Sequence, residues 1–279
     1  MSKNLKKNLK VHLLIIDPQR DFMPSPGSAL PVPGANDDMA RVATMIDRIG
    51  HKFEDIHVTL DSHRKIDVGH PGMWRDENGN APSPFTIISD DDLVNGIWRP
   101  RNPHDVRRFI DYAKALKAGG KYPLMVWPEH CLIGTPGHNV QEDLMAALLR
   151  WEGSQFANVD YVVKGTNSYT EHYGALMAEV PDPDDPSTGL NTEFLKVFAD
   201  ADIVAVAGEA SSHCVKSTVE QIADNIGDDQ VKKFVLLTDG MSPVPQVGNG
   251  PDFPAIAAQF VKDMTARGMQ ISNTVEFLA

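Results

Sequence analysis

Ile203-Val-Ala-Val-Ala-Gly-Glu-Ala-Ser-Ser-His-Cys214 is a short apolar run that breaks at a glycine and leads into a helical pattern. An apolar run of this length, bounded by a turn signal and followed by helix, is the unit of a parallel sheet buried on both faces. The same unit recurs along the chain. Apolar, β-branched runs lie at 11–16, 56–60, 122–126, 160–163, 203–207 and 233–237, with a weaker one at 270–275. Amphipathic stretches fall between them, near 37–50, 105–118, 140–151, 190–199, 213–225 and 254–267. In the first, Met39, Val42, Met45, Ile46 and Ile49 recur at helical spacing. Strands alternating with helices predict an α/β fold with helices on both faces of the sheet.

Residues 64–121 interrupt the alternation. They hold Trp74, Trp98, several prolines and one plausible helix, and read as an insertion in a single α/β domain over 1–279. A connection this long within a compact domain is usually a lid or a partner surface. The Pro/Asp-rich stretch 181–186 is too short to divide domains.

The chain has 279 residues, 42% hydrophobic and 23% charged, with a formal net charge of −12. This is the balance of a globular protein with a real core. The negative charge argues against nucleic-acid and anionic-membrane partners. No apolar run approaches the roughly 20 residues of a membrane-spanning helix. The basic start, Met1 to Lys10, is followed by only six apolar residues and then Asp17, and reads as the approach to a first strand, not an export signal. With two cysteines there is no disulfide framework, and a reducing cytosol is the expected compartment.

Ligands of open parallel sheets sit beyond the carboxyl ends of the strands. Asp17 follows the first run, Asp61 the second, Lys164 the run at 160–163, and Cys214 stands at a helix start after 203–207. A thiol at a helix N-terminus beside a lysine is biased toward thiolate, and a carboxylate can take its proton. Asp17, Lys164 and Cys214 therefore read together as base, electrostatic partner and nucleophile. Singly, each has an ordinary structural reading as strand cap, surface lysine or buried cysteine. Cys131, beside His130, is a rival nucleophile, but it lies in a Gly/Pro-bounded loop with no helix start behind it. A second constellation, Asp61, His63, His70 and His130, offers one carboxylate and three imidazoles, a set suited to Zn, Mn or Fe. Spacing alone leaves open whether these 4 of the chain's titratable groups are ligands or ordinary polar contacts, since the chain has 10 histidines.

Six ordered segments resemble the isochorismatase-like cysteine hydrolases, and among them the nicotinamidase branch. They are Asp17-Pro-Gln-Arg-Asp-Phe22, Gly27-Ser-Ala-Leu-Pro-Val-Pro-Gly34, Thr59-Leu-Asp-Ser-His63, Trp127-Pro-Glu-His-Cys-Leu-Ile-Gly-Thr-Pro-Gly137, Val163-Lys-Gly165 and Gly208-Glu-Ala-Ser-Ser-His-Cys-Val215. The resemblance implies a three-layer α-β-α fold with a six-stranded, mostly parallel sheet. It implies Cys214 as nucleophile, Asp17 as base and Lys164 as their partner. It also implies a non-proline cis peptide at Glu209-Ala210, with the amides of Ala210 and Cys214 as an oxyanion hole. A divalent ion, Zn or else Mn or Fe, would be held by Asp61, His63 and His130 with His70 as a further ligand, and would orient a ring nitrogen of the substrate.

The implied reaction is hydrolysis of nicotinamide to nicotinate and ammonia through a thioester. Three alternatives stand beside it: a related cysteine hydrolase of another small amide or carbamoyl compound, a metallohydrolase using metal-bound water, and a non-catalytic binding protein on the same fold. His70 lies seven residues after His63, one more than in some relatives. Pro71-Gly-Met-Trp74 and the insertion replace a shorter aromatic connection that helps build the family's pocket. Phe22 and Trp74 are the expected pocket walls. The expected partner is a small-molecule amide, with a homo-oligomer open.

Overall fold

A computed structural model of the chain describes residues 9–246, 248 and 250–279. The basic start over residues 1–8 lies outside them. In chain order the strands are β1 (Val11–Ile16), β2 (Phe53–Asp61), β3 (Trp74–Arg75), β4 (Ile87–Ile88), β5 (Arg99–Pro100), β6 (Leu124–Met125), β7 (Asp160–Lys164), β8 (Ile203–Gly208), β9 (Phe234–Leu237) and β10 (Gln270–Ser272). The helices are α1 (Ala35–Ile49), α2 (Asp90–Val94), α3 (Val106–Ala118), α4 (Glu142–Gln155), α5 (Thr192–Val197), α6 (Cys214–Ile226), α7 (Asp228–Val231) and α8 (Phe253–Ala266).

The main sheet is six-stranded, in the order β10-β9-β8-β1-β2-β7, with every neighbouring pair parallel. All six residues of β1 are buried, because this strand is flanked on both edges and covered on both faces. From β1 the chain first builds outward through β2 and β7, then crosses back and builds the other way through β8, β9 and β10. Right-handed crossovers running in opposite directions along a sheet place their helices on opposite faces. Thus α1 packs against α4, while α6 packs against α5 and α8, giving three layers. The reversal between β1 and β8 leaves a crevice at their carboxyl ends. Asp17 and the Gly208–Cys214 turn meet there.

One strand assignment needs correction. The run at 122–126 does not join the main sheet: Leu124 and Met125 pair antiparallel with Ile87 and Ile88 in a separate two-stranded ladder. The reason is packing. Leu124 and Val126 belong to a second apolar cluster with Val68, Met73, Trp74, Ile88, Leu93, Phe109, Tyr112 and Leu116, so residues 64–121 carry a small core of their own. Trp74 is fully buried at its centre, 4.8 Å from Phe109 between ring centroids, and donates its indole N–H to the Val68 carbonyl at 2.8 Å.

Gly208 is where geometry leaves no choice of residue. Its φ is 124°, and a Cβ there would stand 2.1 Å from the Ile16 carbonyl oxygen on β1. Only glycine lets β8 approach β1 this closely as the chain turns toward α6. The next peptide bond, Glu209-Ala210, is cis.

Candidate active site

Asp17, Lys164 and Cys214 come together in one buried group, from the ends of β1 and β7 and the start of α6. The Lys164 ammonium lies 2.9 Å from Asp17 Oδ2, 2.9 Å from Asp61 Oδ1 and 3.7 Å from Cys214 Sγ, and donates to the His172 carbonyl at 2.8 Å. Asp17 leaves its strand with φ 43°, a left-handed conformation that aspartate tolerates better than most residues. Thr59 fixes it there: the Thr59 hydroxyl donates to Asp17 Oδ1 at 2.5 Å, and the Asp17 amide donates to Thr59 Oγ1 at 3.0 Å. Gln19 holds the adjoining strand ends together. Its side-chain amide donates to the Asp61 carbonyl at 2.7 Å and accepts from the Asp61 amide at 2.8 Å.

Electrostatics at this group follow from burial. Burial pushes the Asp17 carboxyl above its ordinary range despite the opposing pull of Lys164. Burial also pushes the Cys214 thiol well up, reinforced by Asp17 and Asp61 and only partly offset by Lys164. The expected bias toward a resting thiolate is therefore overridden: the helix start is present, but desolvation of the sulfur outweighs it. Burial disfavours the lysine cation, yet Asp17 and Asp61 more than compensate and hold Lys164 firmly charged.

The second constellation adjoins the first through Asp61, which touches Lys164 with one oxygen and the imidazoles with the other. Asp61 Oδ2 lies 2.9 Å from His63 Nε2 and 3.3 Å from His130 Nε2. Donor atoms of His63, His70 and His130, all buried, lie within 4.8 Å of one another. Each of these rings also has an oxygen beside its Nδ1. His63 Nδ1 faces Asp67 at 3.3 Å, His70 Nδ1 lies 3.1 Å from the Arg64 carbonyl, and His130 Nδ1 lies 2.8 Å from the Pro128 carbonyl. An outer acceptor on the N–H and an inward Nε2 is how proteins prepare histidine for a metal. Burial opposes the His63 cation, but Asp61 and Asp67 raise it well above the usual imidazole range, whereas burial and the neighbouring rings push His70 down to about 2. The cluster holds three imidazoles and a carboxylate, which fits a borderline divalent ion.

Cys214, Ala210, Asp61 and His130 line a narrow cavity with Phe22, Leu30, Val32, Trp127, Glu171, Tyr173, His213 and Val244. Phe22 lies on this cavity. Trp74 does not: it lies in the separate core of residues 64–121, and the aromatic wall comes instead from Trp127, whose indole N–H donates to the Tyr173 hydroxyl at 3.1 Å. Cys131 is fully buried with φ 48°, and its amide donates to Asp21 Oδ2 at 2.7 Å. Burial and the neighbouring carboxylates Asp61, Asp21 and Asp17 push its thiol well up, and unlike Cys214 it does not line the cavity.

Asp67 and Glu171 escaped sequence reasoning. Asp67 stands four residues after His63 with no periodic helix to relate them, so only their hydrogen-bonding demand could have suggested the pair. Burial pushes Glu171 up to about 7, and it lines the cavity from a stretch of irregular chain.

No family model matches the chain, and no curated protein matches it. Solved structures do. A nicotinamidase and pyrazinamidase of Acinetobacter baumanii superposes with a TM-score of 0.60 at 20% identity, covering 98% of this chain and 100% of that one. The yeast nicotinamidase gives 0.61 at 17% identity, covering 94% and 99%. The Pyrococcus horikoshii pyrazinamidase in complex with zinc gives 0.53 at 20% identity, covering 95% and 99%. The chain shares the fold of these enzymes along nearly its whole length.

Proposed function

We propose that the protein is an isochorismatase-like cysteine amidohydrolase, with nicotinamide as its substrate. The observation that carries this reading is the shared cavity. Cys214, backed by Asp17 and Lys164, opens onto the same space as Asp61 and His130, which belong to the cluster with His63 and His70. A carbonyl reacting at Cys214 and a ring nitrogen a few ångströms away would then be addressed together.

In this mechanism Asp17 accepts the Cys214 proton as sulfur attacks the amide carbon. Keeping the thiol protonated until substrate arrives agrees with its raised pKa. The amides of Ala210 and Cys214 take the developing oxyanion, and Lys164 balances the charge that passes between Asp17 and sulfur. Asp17 then delivers its proton to the departing nitrogen, releasing ammonia and leaving a thioester. Water attacks the thioester, giving up a proton to Asp17. Sulfur departs, regains a proton and frees the carboxylic acid. Asp61, His63, His70 and His130 would hold a divalent ion, zinc by its donor set, which orients the ring nitrogen when bound. Phe22 and Trp127 would sandwich the ring.

The test is ammonia release from nicotinamide, pyrazinamide and small aliphatic amides, with Cys214→Ala as control. Turnover of nicotinamide should fall by roughly 10⁴-fold or more in that variant. Full activity in Cys214→Ala would reject the thioester route. Turnover of another amide but not nicotinamide would discard the substrate and leave the chemistry.

A further inference from the structure

At the other end of the sheet, His12 of β1 and His57 of β2 face each other from one face, both 3% exposed. His12 Nδ1 and His57 Nε2 stand 3.2 Å apart. Their outer nitrogens both meet carboxylates. His57 Nδ1 lies 2.9 Å from Asp160 Oδ2 at the start of β7, and His12 Nε2 lies 3.4 Å from Asp55 Oδ2 on β2. Phe194 of α5 and Phe198 just after it lie edge-on against the His57 ring.

Proton counting makes this arrangement unusual. Three junctions, Asp55–His12, His12–His57 and His57–Asp160, each need a proton, but two neutral imidazoles carry only one N–H apiece. One contact is therefore left without a proton: His12–Asp55 at 3.4 Å when the His12 N–H serves His57, or, with both outer N–H groups directed at carboxylates, His12–His57, where two bare lone pairs face each other at 3.2 Å. A cation between them removes the conflict. Two nitrogens on one tetrahedral zinc ion, at the usual Zn–N length, would be about 3.3 Å apart. Outer carboxylates that fix the tautomer and raise basicity are the usual surroundings of metal-bound histidine. The Asp55 and Asp160 side chains are about half exposed, at 49% and 50%, so the outer carboxylates of the pair reach the surface. Donor atoms of His12, Asp55 and His57 lie within 4.8 Å of one another, so Asp55 is also placed to serve as a third donor.

We propose that His12 and His57 bind a divalent ion of the zinc class at a second site, oriented by Asp55 and Asp160 and separate from the catalytic cavity. The ion would tie β1, β2 and β7 together at their amino-terminal ends. This inference stands apart from the amidase reading and survives its failure.

The test is calorimetric titration of Zn²⁺ into chelator-treated full-length protein, comparing wild type with His57→Gln, Asp160→Asn and, for the catalytic cluster, His130→Gln. Wild type should bind one more ion per chain than His57→Gln. In Asp160→Asn that same ion should bind about tenfold or more weakly, with any other binding step unchanged. The half-exposed Asp160 keeps the experiment decisive if His57→Gln fails to fold. Identical stoichiometry and affinities in wild type and in Asp160→Asn would overturn the proposal and leave the pair as two hydrogen-bonded imidazoles. A site at the catalytic cluster answers to His130→Gln alone, so the two ions are told apart whichever of them binds.

Discussion

Trp127 lines the cavity beside Cys214, whereas Trp74 is fully buried against Phe109 within residues 64–121. The two side chains are chemically identical, and neither composition nor periodicity tells a wall from a core. Replacing Trp74 by Ala should therefore cost about 3–5 kcal/mol of stability, because it leaves a cavity in a packed cluster and strips the buried Val68 carbonyl of its indole donor. Its effect on the kcat/KM of folded protein should be small. Trp127→Ala should raise KM instead. Urea unfolding and steady-state kinetics on both variants separate the two roles, and a Trp74→Ala protein with native stability but impaired KM would reverse the assignment. The proposed catalytic trio was easier to read, since each member ends or directly follows a strand or starts a helix. Its protonation was not. The pull of a helix terminus and a lysine is visible in sequence, whereas the complete burial that outweighs them is a property of the folded site.

Elements carry the next layer of legibility. The strands β1, β8 and β9 stand out as continuous apolar runs because the sheet buries both their faces. Residues 122–126 show the same pattern for another reason. From a two-residue ladder Leu124 and Val126 pack into the second cluster while Met125 between them joins the main core, and an apolar run does not declare which core it enters. The turn after β8 is the element on which the site depends most closely. A Cβ at Gly208 meets the Ile16 backbone from carbonyl oxygen to nitrogen, at 2.1 to 2.4 Å, in a conformation unfavourable to L residues. Backbone cannot step aside as a side chain would, so Gly208→Ala should destabilise by on the order of 3 kcal/mol or more. It should also lower kcat by shifting Ala210 and Cys214 relative to Asp17. A melting curve paired with kcat checks both effects. A variant unchanged in each would mean that β1 and β8 yield where their backbones are drawn tight.

At the scale of the whole molecule, the fold hides imidazoles from water, and this couples its stability to pH. His213 packs against Tyr122, Trp127, Tyr173 and Phe253, and burial pushes it down to about 3, with Lys216 adding a little. Its folded pKa lies below the unfolded value of 6.5. The unfolded chain therefore binds the proton first, and stability is lost as pH falls from 6.5 toward 3. At pH 5 the unfolded histidine is protonated and the folded one is not, so this residue alone should cost about 2 kcal/mol relative to pH 7. His172, pushed down to about 4 by burial and then by Lys164, works in the same direction. Buried acids such as Glu209, raised well above their usual range by burial and by Asp38, work in the opposite one, so the total pH profile does not isolate His213. A difference measurement does. Whatever packing His213→Gln loses is present at both pH values, so the stability gap between wild type and variant should move in the variant's favour by about 2 kcal/mol between pH 7 and pH 5. Urea unfolding at the two pH values reads that change directly. A gap that stays constant would mean that His213 takes up its proton inside the folded protein, next to the nucleophile.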